Sequence, residues 1–169
     1  GGYLGYKDLL DAAAKMTGVD PKLLAIMTAI ESSFKINATP DTSKAAGLQQ
    51  FIPSTWQSML KKYGIKKYGI NPKTPPTDPK ASSLMAGEYI KENYATLSKT
   101  LKRKLSAAEI YAAHMLGVDG AKTLYKMGDD EIPALKMPKA AAANAKIFYH
   151  KGDTSKPRTA AELKQYYVK

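Results

Sequence analysis

The chain has 169 residues, 44% of them hydrophobic, which suits one core of useful size and one domain over residues 1–169. It contains no cysteine and only two histidines, His114 and His150, so disulfides, zinc–thiolate sites, thiol nucleophiles and multi-imidazole metal sites are excluded. Its 26 basic and 15 acidic residues give +11, nearly all from lysine because Arg103 and Arg158 are the only arginines, which favours diffuse attraction to a polyanion over readout of bases.

Helical periodicity recurs along the chain and strand-type alternation is scarce. The expected fold is mainly α, with at most a short irregular β segment around residues 35–52. No run reaches the roughly 18 apolar residues needed to span a bilayer. No charged-then-apolar leader stands at the start, and Gly1-Gly2 reads as a cloning remnant or the edge of an excised fragment.

A first helix is expected over residues 6–16, closed by Thr17-Gly18. Asp20-Pro21 supplies an N-cap followed by proline in the first turn and opens a second helix over 21–34. Its expected buried stripe is Leu23, Met27, Ile30 and Phe34. From Lys35 to Ile52 the period is lost. Pro53-Ser54 opens a third helix that Gly64 should end, and a long proline-bearing loop follows to Thr77. Asp78-Pro79 starts a long helix to about residue 97, offering Leu84, Met85, Tyr89, Ile90 and Tyr94 to the core. Ser106 with Glu109, and Thr159 with Glu162, are capping boxes. The first opens a helix stopped by Gly117, with a shorter helix expected over 120–127. An alanine-rich helix is expected over 138–150. Methionines 16, 27, 59, 85, 115, 127 and 137 read as core filling, and the lysine groups as solvated faces.

Glu31 lies near the end of the second helix beside its apolar stripe, where desolvation makes an acid resist ionisation and suits it to proton donation near neutral pH. The bland alternative is a solvated glutamate or a partner of Lys35. The residues that follow bear on that choice. Glu31-Ser32-Ser33-Phe34, then Ala45-Ala46-Gly47-Leu48-Gln49-Gln50-Phe51-Ile52-Pro53-Ser54-Thr55-Trp56, resembles the signature of the Slt-like lytic transglycosylases of the lysozyme superfamily. Gln49 replaces the family's usual methionine, whereas Gln50 retains its glutamine. Tyr111-Ala112-Ala113-His114-Met115-Leu116-Gly117 takes the place of the family's Ala-Tyr-Asn-Ala-Gly segment, in a form similar to the bacteriophage wall-degrading branch. The resemblance covers about residues 19–124.

The resemblance implies a lysozyme-like fold with Glu31 over a cleft for the alternating N-acetylglucosamine and N-acetylmuramic acid glycan. It implies a single acid/base and a 1,6-anhydromuramoyl product. A two-carboxylate glycosidase would need a second acid, for which Asp41 is the nearest candidate, although its flanks Pro40 and Thr42 read as a turn. Ser32, Ser43, Gln50, Tyr111 and His114 are the candidate substrate-binding residues. For Ser32 the alternative is a bond back to its own helix, for Gln50 loop bracing, for Ser43 turn chemistry, and for Tyr111 core packing. Trp56 reads as helix-start packing rather than a sugar platform.

No cofactor and no metal are expected. The implied partners are peptidoglycan strands and, by charge, anionic wall polymers, with no specific nucleic acid, no membrane span and a monomeric state unless the chain is part of a larger virion protein. The implied place of action is the bacterial wall, as a phage virion component or an endolysin released at lysis. The competing readings are a hydrolytic muramidase on the same scaffold and a basic nucleic-acid- or wall-binding module without catalysis.

Overall fold

The computed structural model describes residues 2–38 and 44–168, and the chain separates into two compact units, Gly1–Lys91 and Glu92–Lys169. Helix dominates both, as the periodicity predicts. The β content among the described residues is two isolated antiparallel bridges, Ala46 with Phe51 and Tyr149 with Pro157. Among the described residues no helix is long and apolar enough to cross a membrane.

The first unit comprises α1 (Gly2–Thr17), α2 (Pro21–Ser32), α3 (Pro53–Met59), one π-helical turn (Leu60–Gly64), α4 (Ile65–Tyr68) and the start of α5 (Pro79–Leu101). Asp20 caps α2 by accepting from Lys22 N at 2.9 Å, with Pro21 in the first turn, where its missing N–H costs nothing. Helix α1 buries Leu10, Ala13 and Ala14 and packs on α2. In α5 the run Ala81, Ser82, Ser83, Leu84, Met85 and Ala86 is buried on every side of the helix. Small residues there let neighbouring segments approach closely, at the cost of placing two hydroxyls in the core. Trp56 is 1% exposed, donates Nε1–H to Thr74 O at 2.9 Å and stacks tilted on Phe51. It is a core anchor, with its one donor satisfied.

Several expectations for this unit are corrected. The buried face of α2 is Leu24, Met27, Thr28 and Ser32, whereas Ile30 is exposed and Leu23 and Phe34 are half-buried. Apolar side chains stand on nearly every side of α2, so period alone does not select the inward face, and packing against α1 does. Gly64 does not stop its helix. The π turn takes in Leu60–Gly64, the helix resumes, and Gly69 in the left-handed conformation ends it by donating N–H to Ile65 O. Met16 is exposed rather than core.

The second unit holds the end of α5, α6 (Ala107–Lys126), α7 (Pro133–Lys136), α8 (Pro138–Ala143), α9 (Ala145–Phe148), a 3-10 turn (His150–Gly152) and α10 (Ala160–Tyr166). Both capping boxes form in full. Gly117 breaks the helical path of α6 with φ 76° and ψ 165°, after which the helix resumes at once. The core gathers Leu124, Met127, Phe148, Leu163 and Tyr167, with α10 packed on α6. The alanine-rich stretch is not one helix. Asn144 leaves helical geometry at φ −131° and ψ 49°, donating its side-chain amide to Ala140 O, and so divides the stretch into α8 and α9.

Candidate active site

Glu31 is the penultimate residue of α2, and the segment around it is braced by side chains of its own helix. Thr28 donates its hydroxyl to Leu24 O at 2.7 Å, and Ser32 donates to Thr28 O at 3.2 Å. Ser33 and Phe34 then adopt left-handed backbone, at φ 53° and 62°, and Ser33 N closes the helix on Ala29 O at 2.9 Å. Two consecutive non-glycine residues in that region are strained, of order 1–3 kcal/mol each, and such strain gathers at sites where the chain must turn for a purpose. The Phe34 ring is held by Tyr3, centroids 5.6 Å apart. The turn leaves Glu31 half-buried at the helix end. Burial pushes its carboxyl from 4.5 up to about 7, and the partial negative charge of a helix C-terminus acts in the same direction.

Two adjacent glutamines in the loop that returns to α3 have different tasks, one tying it to this helix and one bracing the loop on itself. Gln49, 2% exposed, donates its amide to Thr28 Oγ at 3.0 Å and Ser83 Oγ at 3.2 Å, and accepts from Ser82 Oγ in a short hydrogen bond. It joins α2, one turn before Ser32, to α5. Gln50, at φ 52°, donates Nε2 to Gly47 O at 2.8 Å and Ala38 O at 3.1 Å. Both its N–H groups therefore brace the loop, which leaves the side-chain oxygen as its group for an outside partner. Gly47 is required twice over. Its φ is +84°, and a Cβ at this position would lie 2.0 Å from Pro76 O.

Tyr111 and His114 lie on α6 in the second unit. Tyr111 is half-buried and meets Tyr167 edge-on at 5.4 Å. His114 is half-buried as a residue, but its Nδ1 is sealed from solvent, and desolvation pulls the imidazole down to about 4. The ring is neutral at neutral pH, so any role it has is that of a neutral donor or acceptor. Ser43 and Asp41 lie outside the described residues. Among the described residues no three histidine, aspartate or glutamate side chains gather as a metal site.

The buried cluster of Gln49, Thr28, Ser82 and Ser83 was not foreseen from the sequence. Its signal was present at Gln49, because a polar residue in a position the resembling family fills with methionine needs partners if it is buried. Glu88 is a second buried acid without a forecast role. It is 3% exposed and takes Lys67 Nζ at 2.5 Å and the Tyr68 hydroxyl at 2.9 Å, which fastens α4 to α5. Lys67 is thus partly a structural cation rather than a purely solvated one.

A helix-end glutamate with a raised carboxyl, a glycine-dependent loop braced by glutamines, and a Pro-Ser-Thr-Trp helix start all fall inside one matched segment, since the family model described as Transglycosylase SLT domain covers residues 8–128. The chain belongs to the SLT transglycosylase family, with its mainly helical lysozyme-like fold and lytic transglycosylase activity on the peptidoglycan of the cell wall.

Proposed function

We infer that Glu31 is the single acid/base of this enzyme and that the bond cleaved is the β-1,4 link from N-acetylmuramic acid to N-acetylglucosamine. The observation that carries the reading is the carboxyl of Glu31, pushed up to about 7 by burial. Such an acid is protonated at the start of a turnover near neutral pH and releases its proton at small cost, the condition for effective general catalysis.

In the first step the Glu31 proton passes to the glycosidic oxygen as its bond to the muramoyl C1 breaks, and the substrate's acetamide stabilises the electron-poor carbon. The Glu31 carboxylate then takes the proton of the sugar's C6 hydroxyl as that oxygen bonds to C1. The product is a 1,6-anhydromuramoyl end and Glu31 is reprotonated, so no second carboxylate and no water enter the balance. Ser32 offers its oxygen lone pairs to the sugar while its hydrogen stays on Thr28 O. Gln50 offers its side-chain oxygen, and Ser43, Tyr111 and the neutral His114 complete the proposed substrate-binding set. The form of the segment from Tyr111 to Gly117 supports placement in the bacteriophage branch, as a virion component or endolysin.

Substituting Glu31→Gln keeps the shape and removes the acid. Release of muropeptides from sacculi should fall about a thousandfold, within the range that one positioned acid/base contributes. Preserved release in a folded Glu31→Gln protein overturns the assignment. Mass spectrometry of the products separates the reactions, because anhydro ends mark the transglycosylase and reducing ends mark the hydrolytic muramidase.

A further inference from the structure

Helix α2 presents to the interior a different side from the one its apolar residues define. At about 100° per residue, the stripe of Leu23, Met27 and Ile30 and the buried face of Leu24, Met27, Thr28 and Ser32 are centred roughly 100° apart. The observed setting leaves Ile26 and Ile30 exposed and Leu23 half-buried, and turns two hydroxyl side chains inward. Hydrophobic burial is non-directional, and a face holding Thr28 and Ser32 in place of Ile26 and Ile30 is not one that it selects. Packing on α1 brings α2 against the unit, and a directional contact is needed to decide its roll.

Gln49 makes that contact. Its buried carboxamide has both N–H groups and its oxygen in use, donating to Thr28 Oγ at 3.0 Å and Ser83 Oγ at 3.2 Å and accepting from Ser82 Oγ. Thr28 is free to accept because its own hydrogen lies on Leu24 O at 2.7 Å. The other end of the tie is firm. Asp78 caps the start of α5 by accepting from Ala81 N at 2.9 Å, and the turn that carries Gln49 is closed by Gln50 N on Gly47 O and by the Ala46–Phe51 bridge. Hydrogen bonds weaken steeply when misaligned, so three that converge on one amide fix an angle that apolar contact leaves soft, and a satisfied buried network specifies one packing. A methionine, usual at this position in the family, has no N–H to offer Thr28.

The roll carries Glu31 with it. Three residues after Thr28, Glu31 falls within the buried arc, between the directions of Met27 and Leu24. Turning α2 back toward its stripe moves the carboxyl to the edge of that arc and into water, which removes the burial that raises it.

We propose that Gln49, through Thr28, sets the roll of α2 and so aims Glu31 at the glycosidic oxygen, a positioning residue for the reaction that itself touches no sugar. The proposal rests on Glu31 being the acid.

The tie can be severed from either end. Thr28→Val removes the acceptor and keeps the side-chain shape. Gln49→Met combined with Ser82→Ala and Ser83→Ala removes the amide together with the hydroxyls that depend on it. Each protein is assayed where its denaturation curve shows it folded. In both, kcat for muropeptide release should fall about tenfold or more with KM little changed, since a misplacement of about 1 Å at a reacting group can cost on the order of a hundredfold. The Glu31 carboxyl, followed by carbon NMR and assigned by its loss in Glu31→Gln, should titrate lower by about one unit. Thr28→Ser keeps the acceptor and should recover most of the rate lost in Thr28→Val. A purely structural role moves the denaturation midpoint and leaves kcat and the titration in place. Unchanged kcat in either folded variant overturns the proposal, as does an unmoved Glu31 titration, or an equal loss in Thr28→Val and Thr28→Ser. Either end decides alone, so a folding defect in one variant does not shield the proposal. Failure here leaves Glu31→Gln inactive beside fully active tie variants, whereas failure of the Glu31 assignment leaves Glu31→Gln itself active.

Discussion

At the scale of single residues, the raised carboxyl of Glu31 has a consequence for stability as well as for catalysis. Between 4.5 and about 7 the folded protein keeps a proton that the unfolded chain has already released, so stability falls as pH rises through that window. At pH 8 the Glu31→Gln variant should be more stable than the parent by about 2 kcal/mol, a figure reduced from the full shift because the side chain is only half-buried. Below pH 4 the two should melt alike, because Glu31 is then protonated in both states. Urea denaturation across pH checks this, and a constant difference at all pH values would rule out Glu31 as the group that titrates. In the proposed mechanism Glu31 acts first as the acid and must be protonated when substrate arrives, so kcat/KM for muropeptide release should fall tenfold per pH unit above about 7. His114 shows the opposite shift, with burial holding it neutral down to about 4, and it does not contribute to that descending limb.

At the scale of elements, what could be read from the sequence was what is decided locally. The caps at Asp20, Ser106 and Thr159 formed as their spacing predicts, because each is a bond between residues two or three apart. The inward face of α2, the passage through Gly64 and the break at Asn144 are decided by packing partners, and local pattern misread all three. The Glu31–Ser32 and Gly47–Gln50 segments were legible as a pattern, yet the division of labour between the glutamines was not. Gln49 looked like a mild departure and is in fact the buried tie between α2 and α5, because Thr28, Ser82 and Ser83 are distant in sequence and carry no signal individually. Gln49→Met should therefore destabilise the protein by about 2 kcal/mol, as three buried polar groups lose their partner. Adding Ser82→Ala and Ser83→Ala to it should recover much of that loss, since partners removed together leave little unsatisfied. Chemical denaturation of the single, double and triple variants measures the coupling. Strict additivity would show that the four side chains do not act as one network.

At the scale of the whole molecule, the net charge of +11 is far larger than any contact in the structure requires. The ion pairs of Lys7 with Asp11, Lys67 and Lys91 with Glu88, Arg103 with Glu109, Lys122 with Asp119 and Lys136 with Glu131 engage a minority of the 26 cations. Lysines at 61, 66, 139, 146, 151 and 156 are exposed. An excess of this kind acts through the summed field, raising the local concentration of a polyanionic substrate and the rate of encounter rather than the rate of bond cleavage. Such attraction is screened over about 8 Å at physiological ionic strength and over about 3 Å at 1 M. Lysis of intact sacculi should accordingly drop several-fold between low and physiological salt, through a rise in KM with kcat little changed. Cleavage of a short peptide-free glycan oligomer, which presents few charges, should respond weakly over the same range. Parallel titrations of salt on the two substrates make the comparison. Equal slopes would mean that salt acts on the fold or on the chemical step itself, whereas a steep slope for the wall alone assigns the lysine surface to substrate capture.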